Sequence, residues 1–238
     1  MQQSLDAVSP DTVPLEAVPL ETVRGMFETD NAPLVPRVRA FLSNVLRTPL
    51  SHARFMNELS LMEHMGSNKI MATQHGPGMD LPTLKHLAEE ARHAFFFKRQ
   101  AEAVARRPLD YVQADLLSPA AGRLYFQKLD IGVEQALAGE PPRSKVLYLH
   151  VSLIVEFRAV WFYHLYETAL RQTGSRISLK SLLAEEQGHL GDMADRLKAL
   201  GAWDPVRLGR MCALETALFG TLLGRLERAV TPPAAVAA

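Results

Sequence analysis

Residues 87–93 read LAEEARH, and residues 183–189 read LAEEQGH. One chain writes nearly the same heptapeptide twice, each time with a histidine three positions after a glutamate. In an α-helix, residues three and four apart share a face. Glu90 and His93 therefore point one way, and so do Glu186 and His189. The neighbours one turn away decide which glutamate of each pair is turned inward. Glu90 stacks with His86, Leu87, Ala94 and Phe97, and Glu186 with Leu182, Leu183, Leu190 and Met193. Glu89 shares its face with Lys85 and Arg92, and Glu185 with Ser181 and Asp192, so these two are expected to face solvent. Each repeat sends one carboxylate and one imidazole into an apolar interior. A buried, unpaired carboxylate costs on the order of several kcal/mol and calls for a proton, an ion pair or a metal. A buried Glu–His pair explains one copy alone. Two copies in matching helices favour a metal.

Helical rhythm continues outward from the repeats, with the breakers between segments. Helices are expected over 34–46, 51–73 and 81–105, the last capped by Asp80 with Pro82 in its first turn. Ser118-Pro119 opens a fourth, which EPPR breaks. Ser144 caps a fifth that stops at Gly174, Ser178 caps a sixth that ends at Gly201, and Asp204-Pro205 opens the last. No segment alternates as a strand would, so the fold class is all-α. Residues 1–32 read as an extended or disordered arm, 33–230 as a single helical domain, and 231–238 as a flexible tail.

Composition excludes several function classes. Hydrophobic residues make up 47% and charged residues 22%, as in an ordinary globular protein. Lys plus Arg equals Asp plus Glu at 26 each, so nothing marks a nucleic-acid or anionic-membrane partner. The one cysteine, Cys212, allows no internal disulfide and no CxxC metal knuckle, which fits a reducing, cytoplasmic setting. The N-terminal residues lack the basic and apolar stretches of a secretory signal, and no membrane span is expected.

Further acids stand upstream of each repeat. Glu58 lies 32 positions before Glu90, among Phe55, Leu61, Met62 and Met65. Glu156 lies 30 before Glu186, among Leu153, Ala159, Val160 and Tyr163. Two helix pairs, each carrying Glu and then ExxH, supply the four carboxylates and two imidazoles of a dinuclear site in a four-helix bundle. Such oxygen-rich donors suit iron or manganese. Glu63 competes with Glu58, but its neighbours Leu59, Ser60, Gly66 and Ser67 are more polar and read as surface. Glu167 competes with Glu156 less well, because it breaks the spacing. His86 and His164 are candidates for an extra ligand, with a buried or supporting histidine as the plainer reading. Asp192 is a candidate to orient His189. Tyr163, two turns after Glu156, is either a redox participant or a core residue. Met56, Met62, Met65 and Met71 can line an apolar pocket, although packing alone accounts for them.

The ordered set Glu58, Glu90 and His93, Glu156, Glu186 and His189 resembles the ferritin-like di-iron carboxylate superfamily over roughly residues 50–200. The resemblance implies a ferritin-like four-helix bundle with additional helices before, between and after the two helix pairs. It implies two iron ions, with manganese as the alternative, bridged by Glu90 and Glu186, and dioxygen as co-substrate. It implies an oxygenase or oxidase acting on a hydrophobic small organic substrate, with an external electron donor, and a homodimer is the expected assembly. Two other readings stand beside this one. An iron-handling ferroxidase or storage protein would share the ligands, but no acidic tract for mineral nucleation is present. A haem-oxygenase-like di-iron oxidase would carry an earlier histidine near position 182, where this chain has leucine. A metal-free helical scaffold is the plainest reading of all.

Overall fold

The two heptapeptides sit on the second helices of two long pairs. In the computed structural model, which describes residues 18–76, 79–138 and 144–230, α3 (Pro49–Gln74) packs on α4 (Leu81–Ala105), and α6 (Ser144–Gln172) packs on α7 (Lys180–Ala199). α3 also meets α6, and α4 meets α7, so the four helices close a ring around the repeats' inward side chains. Around them lie α1 (Leu20–Asn31), α2 (Val35–Val45), α5 (Pro119–Ala136) and α8 (Pro205–Val230). The described residues contain α- and 3₁₀-helices and no strand.

Local chemistry sets most boundaries. The Thr48 side chain accepts from Ser51 N–H to cap α3, and Asp80 accepts from Thr83 N–H to cap α4. Pro49, Pro82 and Pro119 occupy first-turn positions, where a missing N–H costs nothing. Gly174 and Gly201 follow α6 and α7 in the left-handed region that L side chains avoid. Ser118 is the N-cap residue of α5, but its side chain makes no capping hydrogen bond, and Ser178, expected to cap α7, stands one position before the N-cap Leu179. Buried glutamates take over. Glu58 accepts the N–H groups of Leu117 and Ser118 at the start of α5, and Glu167 accepts that of Leu179 at the start of α7. A carboxylate suits this position, because the first N–H groups of a helix have no partner within it.

The expected arm over 1–32 is corrected in part. Its residues 20–31 form α1, which buries Val23, Phe27 and Asn31 and packs against α8. Three buried positions spaced by four, only two of them apolar, give one narrow stripe, too weak a rhythm to stand out beside the prolines that precede it. Residues 1–17 of the arm and the 231–238 tail lie outside the described residues. The apolar core runs unbroken from α1 to α8. α6 is long and apolar enough to cross a membrane by length and composition, but 72% of its apolar window is buried inside the protein. α5 and α8 approach closely at Gly132, where a Cβ would collide with Leu214.

Candidate metal centre

Two groups of side chains that could hold a metal ion lie inside the four-helix ring. His86, Glu90, Glu156 and His189 form one. Glu63, Glu90, His93 and Glu186 form the other. Within each group the ligand atoms all lie within 4.8 Å of one another, and Glu90 belongs to both. Glu186 also spans the two, with Oε1 3.1 Å from His93 Nδ1 and Oε2 3.1 Å from His189 Nδ1. His86 Nε2 stands 3.3 Å from Glu90 and 3.1 Å from Glu156.

Each imidazole offers one nitrogen to the carboxylates and is held by the other. His189 Nε2 donates to Glu89 Oε2 at 2.9 Å, and His93 Nε2 donates to Glu185 Oε2 at 2.8 Å. His86 Nδ1 is hydrogen-bonded to the Tyr148 hydroxyl at 2.7 Å. Such partners fix the ring orientation and tautomer of a metal-binding histidine. They also explain why each repeat writes two glutamates in a row. The second faces the cluster, and the first holds the histidine of the other repeat. Glu89 and Glu185, expected in solvent, are therefore buried and half-buried, with Lys85 and Arg92 on their outer side. Asp192 is exposed, and Glu89 does the orienting foreseen for it.

The electrostatics describe a site short of positive charge. Glu63, Glu90, Glu156 and Glu186 face three imidazoles. Burial disfavours charge on His93 and His189, but the hydrogen bonds they donate to the carboxylates, with the carboxylate charges, outweigh it and raise them to about 10 and about 12. His86 is likewise raised, by Glu156 and Glu90 against its burial. Burial would raise Glu156 too, yet His189 and His86 hold it well below the usual carboxylate range. Glu186 rises to about 8 through burial and the nearby Glu156 charge, and Glu63 rises through burial and the charges of Glu90 and Glu186. His93 Nδ1 is buried without a hydrogen bond of acceptable geometry. Metal ions would satisfy that orphan nitrogen and replace the protons that now neutralise the acids. By this test the residues fit a pair of divalent ions with oxygen and nitrogen ligands.

The sequence-predicted residues Glu90, His93, Glu156, Glu186 and His189 come together. Glu58 does not join them, because its carboxylate serves the start of α5. Glu63, one turn further along α3, enters in its place. The small neighbours that made Glu63 read as surface are what admit it. Ser60 and Ser67 are buried where α3 lies against α4, and Ser60 Oγ donates to the Ala94 carbonyl at 2.6 Å. A Cβ on Gly66 would stand 3.1 Å from Glu90 Oε2. Small residues thus marked a close helix contact, a signal that polarity alone conceals. His86 is buried in the cluster, whereas His164 is exposed beside Gln187. The Tyr163 hydroxyl donates to Glu63, and its ring packs on Phe97. Burial and the surrounding carboxylates raise its pKa and keep the phenol protonated.

Among the described residues, two cavities of about 110 Å³ or more reach the cluster. One, of about 110 Å³, lies between α3, α5, α6 and α8 and has a mostly apolar wall that includes Phe55, Met62, Phe162, Phe219 and Leu222. It touches Glu63, Glu90, Glu156 and Glu186. The second, of about 220 Å³, touches His86, Glu90 and Glu156 and is lined by Lys69, Asp130 and Glu134 among others. Of the four methionines expected to line an apolar pocket, Met62 does so. Comparison with protein-family models, curated proteins and solved structures finds no match for this chain.

Proposed function

We propose that the protein is a non-haem di-iron, or iron–manganese, oxygenase or oxidase of ferritin-like architecture that oxidises a small hydrophobic molecule. The observation that carries this reading is the junction of a buried cluster of four carboxylates and three histidines with an apolar cavity. Glu63, Glu90, His93 and Glu186 would hold one ion, and His86, Glu90, Glu156 and His189 the other. Two reduced iron ions bound there would supply dioxygen activation. The chain's own contributions are positioning and shielding. Glu89, Glu185 and Tyr148 orient the three imidazoles. The apolar wall excludes water from a site where an oxidant must be spared side reactions. The Tyr163 phenol keeps a proton on the Glu63 side of the cluster, hydrogen-bonded and out of solvent.

The alternative is an iron-handling ferroxidase. The second cavity favours it, because Glu134 and Asp130, the latter ion-paired with Lys69, line a polar approach to the cluster. One experiment separates the two. The Fe(II)-loaded protein is prepared anaerobically and mixed with dioxygen and small apolar compounds, and products are followed by mass spectrometry. Oxygenase chemistry predicts up to about one oxidised organic product per protein in this single turnover, the two ferrous ions supplying the two electrons that reduce the second oxygen atom to water. Oxygen uptake that tracks only repeated additions of Fe(II), with the organic compounds unchanged, would replace it with the ferroxidase.

A further inference from the structure

The apolar cavity contains two polar side chains that the fold leaves incompletely paired. Glu58 is 1% exposed. Its Oε2 accepts from Leu117 and Ser118, while its Oε1 is buried and has no hydrogen-bond partner among the described residues. Arg158 is 6% exposed. It donates from Nε and Nη2 to the Glu215 carboxylate and from Nη2 to Asn31. Its guanidinium lies 3.9 Å from the centre of the Phe219 ring and 4.8 Å from that of Trp161. It also lies 4.8 Å from the centre of the Phe27 ring, and its Nη1 is buried with no hydrogen-bond partner among the described residues. Both side chains line the cavity that touches the carboxylate cluster. Buried polar atoms are almost always paired, and each exception asks for an explanation. A bound molecule explains both at once.

The chemistry of the wall narrows that molecule. An apolar cavity of roughly 150 Å³ takes up benzene, so about 110 Å³ bounds the occupant at one aromatic ring or a chain of smaller bulk. The Arg158 charge is already balanced by Glu215, and Glu58, Glu63, Glu90, Glu156 and Glu186 line the same space. An anionic group would meet a free N–H but no free positive charge. We propose that this cavity binds a neutral, largely apolar molecule of single-ring size bearing a hydroxyl group, with Arg158 Nη1 donating to its oxygen and Glu58 Oε1 accepting its proton, directly or through water. This rests on the reading of the cavity as the substrate site. Arg158 and Glu58 then act as specificity residues, and the reacting end of the molecule lies toward the cluster.

The test is calorimetric titration of the full chain with three probes of one shape: toluene, 4-methylphenol and 4-methylbenzoate. Each is run on metal-loaded and on chelator-treated samples, with metal content measured in parallel. A hydrogen bond to a charged donor predicts that 4-methylphenol binds about tenfold or more tighter than toluene. The preference should persist without metal, and 4-methylbenzoate should bind more weakly than 4-methylphenol. Arg158→Lys keeps a cation for Glu215 but removes the spare N–H, so the ratio should fall to about threefold or less while toluene still binds. Glu58→Gln retains an oxygen for Leu117 and Ser118 and leaves Arg158 intact, so it should lower the ratio less. Equal binding of toluene and 4-methylphenol would overturn the proposal. So would a preference that disappears with the metal, or tightest binding of the benzoate. If the chain proves to hold no metal while the preference stands, the dinuclear reading fails and the recognition by Arg158 survives it.

Discussion

The heptapeptide at 87–93 lies on α4 and its near copy at 183–189 on α7. Their shared letters perform shared tasks. In each, the second glutamate and the histidine face the cluster, while the first glutamate holds the other copy's histidine. The surroundings are not shared. One turn before Glu90 stands His86, which joins the cluster, and the matching position before Glu186 is Leu182, which packs in the core. The upstream acid is Glu63 in one half, 27 positions ahead, and Glu156 in the other, 30 ahead. The result is one group with three carboxylates and one imidazole and another with two of each. A repeated motif can therefore build two unequal groups of potential metal ligands, because the inequality comes from residues outside the motif.

The largest expected effect breaks the comparison at its upstream acids. Glu63→Ala should lower bound metal from about two equivalents toward one. Glu58→Gln should leave it at about two, with any loss confined to stability, on the order of 1–3 kcal/mol for a disturbed buried acceptor. Elemental analysis with thermal unfolding checks both. The crossed supports come next. Glu89→Gln and Glu185→Gln should each weaken metal binding about 10–100-fold, as loss of a partner behind a ligating histidine usually does. Glu89→Gln should affect the ion near His189, and Glu185→Gln the ion near His93, resolved by competitive titration in two steps.

Acidity sharpens the same contrast. His93 and His189 titrate at about 10 and about 12 in the metal-free chain, above the ordinary imidazole value of roughly 6.5. Their positive charge stabilises the metal-free fold below pH of about 6.5, and that contribution is lost as pH rises through the folded values. Metal must displace those protons, so its apparent affinity should climb by up to about tenfold per pH unit per proton released as pH rises toward about 10. The smallest effect concerns space. Gly66→Ala places a methyl group 3.1 Å from Glu90 Oε2, and a carboxylate can shift by the little required, so a few-fold weaker affinity is expected. Gly122→Ala, next to Glu58, should leave metal affinity unchanged.

The legible part of this molecule was whatever repeats or follows a helical period. The all-helical fold, most helix boundaries and five of the cluster's side chains follow from apolar neighbours one turn away. Glu63 escaped because its face is made of Ser60, Gly66 and Ser67, small residues that serve close packing and read as polar surface. Glu58 reads as a ligand because burial is legible in the sequence and its hydrogen bonds are not. Those bonds reach backbone nearly sixty residues away, at the start of α5. Glu89 reads as solvent-facing beside Lys85 and Arg92, and Glu185 beside Ser181 and Asp192, because a single helix does not reveal the helix it crosses. The Arg158–Glu215–Asn31 network joins α6, α8 and α1, and no local pattern announces such a meeting.

The most direct measurement is metal content by elemental analysis after reconstitution with Fe(II), made on the parent chain and on Glu90→Ala, which removes the one carboxylate common to both groups. The account predicts about two iron equivalents in the parent and almost none in the variant, with both chains helical by circular dichroism. A folded parent that binds no iron, or a variant that binds as much as the parent, would contradict it and return the two heptapeptides to packing alone.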